Sequence, residues 1–241
     1  MIQDIDKLVK ASKDRFALSC ALLNQANCAH MAEVGVYKGN YAEIILSECA
    51  SIQKYYMIDP WRNLSDWNKP ANKDNSTFEA FYNEAMSKTE FASEKREVLR
   101  GKTTEIIGEI PDNTLDAAYI DGDHTLKGIS IDLINIWPKL KTNALLIGDD
   151  FTPSIWQHSS KFEPTLVFPF AIYFAEAHNA SIYALPFNQF LIIKSDTGFS
   201  YTNLSGKEYN TDGLIHQVNE PMSVSLSKFI GKLTSKFAKR H

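Results

Sequence analysis

The sequence predicts a three-layer α/β/α fold, in which a doubly wound, mostly parallel β-sheet lies between two layers of helices. Three observations carry this prediction. Short apolar runs alternate with segments whose apolar residues recur at helical spacing. Acidic residues follow several of these runs directly, as they do where parallel strands end at a ligand-binding edge. The 241 residues are 44% hydrophobic and 22% charged, a globular composition that supports one main core.

Seven strands are predicted, each a short apolar run that is bounded by turn residues. They cover residues 30–36, 54–58, 97–99, 115–120, 144–147, 181–185 and 190–194. Pro186, Phe187 and Asn188 separate the last two runs and are typical of a closing hairpin. We therefore expect a seven-stranded, mostly parallel sheet whose last strand is antiparallel.

Amphipathic helices are predicted before, between and after the strands. Helical spacing extends from Ile2 to about Asn24, as one or two helices, and recurs at 41–50, 77–88, 104–108, 128–140 and 168–178. Residues 223–240 place apolar side chains on one face of a helix and lysines on the other. The predicted organisation is an N-terminal helical extension (1–28), a central domain (29–195) with 61–93 as an insertion and candidate lid, and a polar tail (196–241) with the basic helix.

Charge and cysteine content narrow the class of protein. The net charge of −4 gives no overall attraction to a nucleic acid, so no nucleic-acid partner is expected. Cys20, Cys28 and Cys49 lack the spacing of a disulfide framework or a zinc site. The N-terminus has no apolar signal-peptide core, and no window is long enough to span a bilayer. We expect a soluble, cytoplasmic protein.

A glycine turn follows the first predicted strand. Gly35 and Gly39 lie four residues apart in Glu33-Val34-Gly35-Val36-Tyr37-Lys38-Gly39, so the backbone can turn sharply and approach a ligand at the next helix N-terminus. The spacing differs from the dinucleotide pattern GxGxxG. The alternative is a tight strand-to-helix turn that binds no ligand.

Two further strand ends carry candidate nucleoside contacts. Asp59 follows the glycine turn by about twenty residues and ends the second strand, where its carboxylate can accept two hydrogen bonds from a ribose. Gly101, Lys102 and Thr103 follow the third strand and could contact an adenine edge, or they could form an ordinary loop. Asp59 alone could equally be a solvated turn residue.

Four carboxylates follow the fourth and fifth strands. Asp121 and Asp123 precede His124 after one strand, and Asp149 and Asp150 follow the next. Adjacent strand ends lie about 5 Å apart, so these like charges raise one another's pKa unless a cation or a proton relieves them. A hard divalent ion such as Mg²⁺ fits carboxylate oxygens better than zinc does. The alternatives are that the aspartates cap helices or face water and that His124 makes a structural hydrogen bond.

These motifs, in this order and spacing, resemble those of the Rossmann-like S-adenosylmethionine-dependent (class I) methyltransferases. The resemblance covers residues 29–194 and is carried by EVGVYKG, YYMIDPW, LDAAYIDGDHTLKGISIDLINIWPKL and ALLIGDDF. It is strongest to the branch with the step Ile-Asp-Gly-Asp-His, which includes metal-dependent O-methyltransferases acting on sugars of natural products. One departure is Lys141-Thr142-Asn143-Ala144, where many relatives have a proline-glycine-glycine turn.

The resemblance implies a role for each candidate residue. Glu33, Gly35 and Gly39 would hold the methionine portion of S-adenosylmethionine, Asp59 its ribose, and Gly101, Lys102, Thr103 and Asp121 the adenine side or the floor of the site. Val36 and Tyr37, in the same turn, would also contact the cofactor. The metal ligands would be Asp121, Asp149 and Asp150, with Asp123 as general base and His124 as a second catalytic candidate.

The expected reaction is O-methylation of a small-molecule or glycan hydroxyl, assisted by Mg²⁺ or another hard divalent cation. A hydroxyl is a poor nucleophile until a base takes its proton and a cation stabilises its charge. The alternatives are a catechol-like or amine acceptor, or a non-catalytic protein that binds the cofactor for recognition. For residues 228–241 the alternatives are contact with an anionic membrane on the cytoplasmic face, a homodimer contact, or packing on the domain itself.

Overall fold

The computed structural model describes residues 4–159 and 161–209, and these form one eight-stranded sheet with helices on both faces. The strands are β1 (His30–Val34), β2 (Lys54–Asp59), β3 (Arg96–Arg100), β4 (Leu115–Ile120), β5 (Leu140–Gly148), β6 (Ser181–Leu185), β7 (Gln189–Ile193) and β8 (Ser200–Asn203). Their order across the sheet is β3-β2-β1-β4-β5-β7-β6-β8. The first strand, β1, thus lies inside the sheet, and later strands are added on both of its sides.

Pairing within the sheet confirms the predicted fold class. Strands β1 to β5 run parallel, and β7 is antiparallel to both of its neighbours, β5 and β6. The sheet has one strand more than predicted, because β8 pairs in parallel with β6. Ser200–Asn203 is polar and mostly exposed, so it lacks the apolar alternation that would have separated it from the predicted tail.

Within the described ranges, seven α-helices pack around the sheet. They are α1 (Ile5–Ala11), α2 (Arg15–Gln25), α3 (Asn40–Glu48), α4 (Asn75–Lys88), α5 (Thr103–Ile106), α6 (Leu126–Ile136) and α7 (Val167–Ala177), with short 3₁₀ turns at 90–92, 107–109 and 137–139. The N-terminal extension is therefore two helices. Asp14 caps α2 by accepting a hydrogen bond from the amide of Ala17 at 2.8 Å, which fixes Arg15 as its first residue.

Two apolar cores lie on opposite faces of the sheet, because successive strand residues point to alternate sides. Met31 and Tyr119 join the core beneath α1 to α4, whereas Ala32 and Ala118 join the core beneath α6 and α7. Strands β1 and β4 are buried on both faces, as central parallel strands should be. The sheet is therefore a rigid platform for the loops that follow its strands.

The C-terminal basic helix predicted at 223–240 lies outside the described residues, so its role stays a prediction. Among the residues that the structure describes, no helix has both the length and the apolar character to cross a membrane.

Candidate cofactor and acceptor site

A single edge of the sheet carries the candidate residues. The ladder hydrogen bonds continue past the strand ends: Gly35 donates to Ile58 at 2.9 Å, and Asp121 donates to Val34 at 2.8 Å. A cavity of about 690 Å³ opens at this edge and reaches from the end of β3 to the end of β5. That volume lies within the range of small-molecule sites. It is lined by every predicted cofactor residue except Gly39, and by Asp121, Asp123, His124 and Asp150.

The two glycines of the turn, Gly35 and Gly39, lie where a Cβ atom has no room. Gly35 has φ +91°, and a Cβ there would lie 2.7 Å from the amide nitrogen of Gly122 and closer still to the carbonyl oxygen of Asp121. Gly39 has φ +75°, and its Cβ would lie 2.8 Å from the Cα of Ala85. Both conformations favour glycine, and the close contacts at Gly35 join the loops after β1 and β4. The turn after β1 is thus packed directly against the acidic loop after β4.

Asp59 organises the loops after β1 and β2. Its two carboxylate oxygens accept hydrogen bonds from the amides of Tyr37, at 2.8 Å, and Trp61, at 2.7 Å. Burial raises the pKa of Asp59, and the backbone hydrogen bonds oppose that shift. Each oxygen keeps further acceptor capacity, so a diol in the cavity could still bind. Asp59 is therefore held in place before any ligand arrives.

Glu33 is a buried acid at the floor of the cavity. It is 1% exposed, and Oε2 accepts a hydrogen bond from the hydroxyl of Tyr55 at 2.7 Å. Burial raises the pKa of Glu33 to about 8, although the bond from Tyr55 opposes the shift. The Glu33 carboxyl is therefore largely protonated at pH 7 in the ligand-free protein. A cationic ligand beside it would favour the ionised form.

The buried Glu33 predicts a pH-dependent stability difference. The unfolded chain ionises this group near its ordinary pKa of 4.5, whereas the folded protein keeps its proton to about pH 8. The wild type should therefore lose stability, relative to Glu33→Gln, as the pH rises from about 4.5 to 8. We expect the difference in free energy of unfolding to change by at least about 1 kcal/mol between pH 5 and pH 9.

Urea unfolding of the ligand-free proteins measures this difference. Glu94→Gln, at an exposed position, is the matched control and should give the same difference at both pH values. A difference for Glu33→Gln that does not change with pH would show that the native protein already holds the carboxylate ionised.

The loop after β3 is fixed by a residue that the sequence analysis missed. The hydroxyl of Thr103 donates to Oδ1 of Asp132 at 2.6 Å, inside α6. Burial raises the pKa of Asp132 to about 7, and the bond from Thr103 opposes the shift. The sequence did contain a signal for Asp132. It lies three residues after Ile129 and four before Ile136, so it is an acidic residue on the apolar face of the helix.

Three carboxylates converge beside the cavity, and two cationic side chains bridge them. His124 pairs with Asp150 through Nδ1, and its Nε2 lies 3.3 Å from Oδ1 of Asp121. Nη1 of Arg15 pairs with Asp149 and lies 3.6 Å from Oδ2 of Asp121. Asp121 is thus common to both bridges. Ligand atoms of Asp121, His124 and Asp150 all lie within 4.8 Å of one another, a spacing that could hold a metal ion.

This group contains two of the three predicted metal ligands, Asp121 and Asp150, and the third, Asp149, pairs with Arg15. Asp149 is 8% exposed and also accepts a hydrogen bond from the side-chain amide of Gln189. Burial, with the neighbouring Asp121 and Asp150, raises the pKa of Asp149 to about 7. Burial alone would lower the pKa of His124, but its bonds to Asp121 and Asp150 raise it to about 10. Excess negative charge is thus relieved by protons and cations.

Asp123, the predicted general base, is occupied by hydrogen bonds. Its Oδ1 accepts from the indole of Trp67 at 2.9 Å and from the amide of Thr125 at 2.9 Å, and Oδ2 accepts from the hydroxyl of Thr125 at 3.0 Å. These three donors compete for the lone pairs with which Asp123 would accept a proton. The arrangement favours a role for Asp123 in ordering the loop.

Two segments, 61–74 and 161–166, form what we call the roof of the cavity. Lys69 is 5% exposed and donates to the carbonyl oxygens of Glu163, at 2.8 Å, and Pro164, at 3.1 Å. Asn68 donates to Oε2 of Glu163 at 2.8 Å. The rest of the predicted insertion is α4, which packs in the core through Phe78 and Ala85. The first half of the predicted insertion therefore lines the cavity, and its role as a lid stays a prediction.

Comparison with known proteins agrees with this geometry. Residues 32–151, about half of the chain, match a family model described as "Methyltransferase domain". No curated protein sequence is significantly similar to the chain. The chain belongs to the Rossmann-like, class I S-adenosylmethionine-dependent methyltransferases.

Three solved structures share the fold. An O-methyltransferase from Bacillus cereus in complex with S-adenosylhomocysteine has a TM-score of 0.56 and 14% identity, over 81% of this chain and 93% of that one. The O-methyltransferase of tomaymycin synthesis from Streptomyces achromogenes, in complex with S-adenosylmethionine, has a TM-score of 0.53 and 12% identity, over 81% of this chain and 91% of that one. A candidate caffeoyl-CoA O-methyltransferase from Staphylococcus aureus has a TM-score of 0.57 and 16% identity, over 80% of this chain and 93% of that one. At these identities the likeness establishes the fold alone.

Proposed function

We propose that this methyltransferase transfers the methyl group to a hydroxyl oxygen of a small polar molecule, a glycan or sugar derivative in the first instance. The observation that carries the proposal is the cluster of Asp121, His124 and Asp150 beside the cofactor cavity. Proton removal from a weakly acidic hydroxyl needs a base and a nearby cation, and this cluster offers groups for both. Gln157, His158 and Glu163 line the cavity near the roof, beside apolar residues such as Trp67 and Leu166. The three polar side chains could bind the hydroxyl groups of such an acceptor.

His124 is the proposed base. Asp150 accepts from Nδ1 and orients the ring, so that Nε2 takes the proton of the acceptor. The acceptor oxygen then attacks the methyl carbon in line with the sulfonium, the carbon–sulfur bond breaks, and its electron pair stays on sulfur. The products are the methyl ether, S-adenosylhomocysteine and a protonated His124.

The residues present fit a divalent ion. Asp121 lies beside both Asp149 and Asp150, as the two bridges from Arg15 and His124 show. We propose Asp121, Asp149 and Asp150 as the ligands, which are all carboxylates, as Mg²⁺ or Mn²⁺ prefers. When bound, the ion would supply positive charge for the developing alkoxide and would relieve the carboxylates that otherwise hold His124 protonated. Asp149 would keep its contact with Arg15 in this role, since a carboxylate has acceptor capacity for both.

The test combines turnover with a separate measurement of metal binding. S-adenosylhomocysteine release is measured from the EDTA-treated protein with a panel of sugar, catechol and amine acceptors, with and without Mg²⁺ or Mn²⁺. Binding of Mn²⁺ is followed by electron paramagnetic resonance. We expect turnover only on hydroxyl acceptors, and we expect Asp121→Asn to weaken Mn²⁺ binding at least about tenfold.

Asp112→Asn is the matched control, since Asp112 is exposed and pairs only with Lys139 among the residues described. It should leave Mn²⁺ binding and turnover unchanged. Turnover on amines alone, or cofactor binding without turnover on any acceptor of the panel, would overturn the proposal.

A further inference from the structure

Arg15 brings the N-terminal extension into the cofactor cavity. Among the described residues that precede β1, Arg15 alone lines the cavity. Its side chain is 34% exposed, and Nη1 pairs with Asp149, 134 residues further along the chain. The capped start of α2 holds the backbone at this point. Arg15 is therefore a fixed cation at the edge of a cavity whose floor belongs to another part of the sequence.

The order of the strands gives the cavity two chemically different ends. At the β3 and β2 end lie Thr103 and Asp59, which suit a nucleoside. The buried Glu33 lies on β1 itself, and Arg15 lies further toward β4, where its charge acts on Glu33 and it lies beside Asp121. A ligand with a nucleoside at one end and an amino acid at the other would place its ammonium and carboxylate groups near Glu33 and Arg15.

A cation would stabilise the cofactor's carboxylate, and the other lysine and arginine side chains that line the cavity in the described part of the chain are engaged elsewhere. Lys38 pairs with Glu84, Arg62 with Glu105, Lys102 and Lys127 with Asp66, and Lys69 with the roof carbonyls. The contacts of Arg15 with Asp149 and Asp121 use only Nη1, whereas a guanidinium carries five N–H donors. The remaining donors suit the bidentate recognition of a carboxylate.

We propose that Arg15 binds the α-carboxylate of the methionine portion of S-adenosylmethionine, with Asp149 holding the guanidinium in position. The N-terminal extension thereby becomes part of the cofactor site. The inference rests on the identity of the cofactor and does not depend on the acceptor or on a metal.

The test compares two ligands that differ only in the carboxylate. Calorimetry measures binding of S-adenosylhomocysteine and of its decarboxylated analogue, S-adenosyl-3-thiopropylamine, to the full-length, EDTA-treated protein. We expect Arg15→Gln to weaken S-adenosylhomocysteine about ten- to a hundredfold, as for a lost charge-assisted contact, and the analogue less than about threefold. Arg15→Lys should retain part of the difference, since a lysine keeps the charge without the fork.

Two further variants separate recognition from folding. Lys10→Gln changes a cation of the same extension that is exposed and pairs with Asp6, and it should bind both ligands as the wild type does. The double variant Arg15→Gln, Asp149→Asn also removes the carboxylate charge that Arg15→Gln leaves without its partner. We expect it to lose the preference for S-adenosylhomocysteine over the analogue to the same extent as Arg15→Gln alone. Equal weakening of both ligands by Arg15→Gln, or no weakening, would overturn the inference. Failure to methylate any acceptor would leave it standing.

Discussion

Replacing His124 with glutamine should lower the rate of methyl transfer by about 100- to 10,000-fold, the range that general bases contribute. The reason lies in the position of the ring: Nδ1 pairs with Asp150, and Nε2 lies 3.3 Å from Asp121. Glutamine keeps a polar group of similar reach but cannot take a proton at neutral pH. Turnover at saturating donor and acceptor measures the effect as a loss in kcat.

The same variant tells a base from a metal ligand. If His124 is the base, Mn²⁺ binding and S-adenosylhomocysteine binding stay within about threefold of the wild type. A parallel loss of Mn²⁺ affinity would instead place His124 among the ligands, as its spacing from Asp121 and Asp150 allows. His30→Gln is the control, because His30 begins β1 and lies at the opposite edge of the sheet.

The second large effect is expected at Gly35. In Gly35→Ala the new methyl group would lie against the backbone of Asp121 and Gly122, at a φ of +91° that an alanine rarely adopts. Neither neighbour is a flexible side chain, so the loops after β1 and β4 must separate. We expect a loss of about 2–4 kcal/mol in the free energy of unfolding and at least about a hundredfold loss of S-adenosylhomocysteine affinity.

Urea unfolding and calorimetry measure the two losses, and a second glycine provides the control. A Cβ at Gly108 would meet no atom within 4 Å. Gly108→Ala should therefore change both quantities little, within about 0.5 kcal/mol for stability. Wild-type affinity in a stable Gly35→Ala protein would show that the contact between the two loops is not needed for the cofactor.

Much of the fold could be predicted because hydrophobic periodicity records burial. The five parallel strands and the hairpin were recognisable from apolar runs that are followed by turn residues. Strand β8 was not, since Ser200–Asn203 pairs through its backbone at an exposed edge and carries almost no burial signal. Backbone pairing of this kind depends on where the neighbouring strand lies, and local sequence does not encode that position.

The candidate site was predictable in its location and less so in its contacts. Because parallel strands end at one edge, Asp59, Asp121 and Asp150 could be assigned to one cavity. The contacts of the neighbouring acids depend on distant partners: Asp149 is absent from the cavity lining and pairs with Arg15. The role of Asp123 as the base stays a prediction, and its hydrogen bond from the indole of Trp67, 56 residues earlier, could not be predicted from the motif.

The roof has a consequence for how the acceptor range of such an enzyme can change. Its two segments are joined to each other through Lys69 and Asn68. Trp61 belongs to the core beneath α1 to α4, whereas the rest of the roof contributes little to the two cores. Substitutions in the roof after Trp61 can therefore accumulate without weakening the platform that holds the methyl donor. Selection can act on acceptor choice and on donor binding almost independently, so descendants of one ancestor could diverge in substrate while keeping the same chemistry.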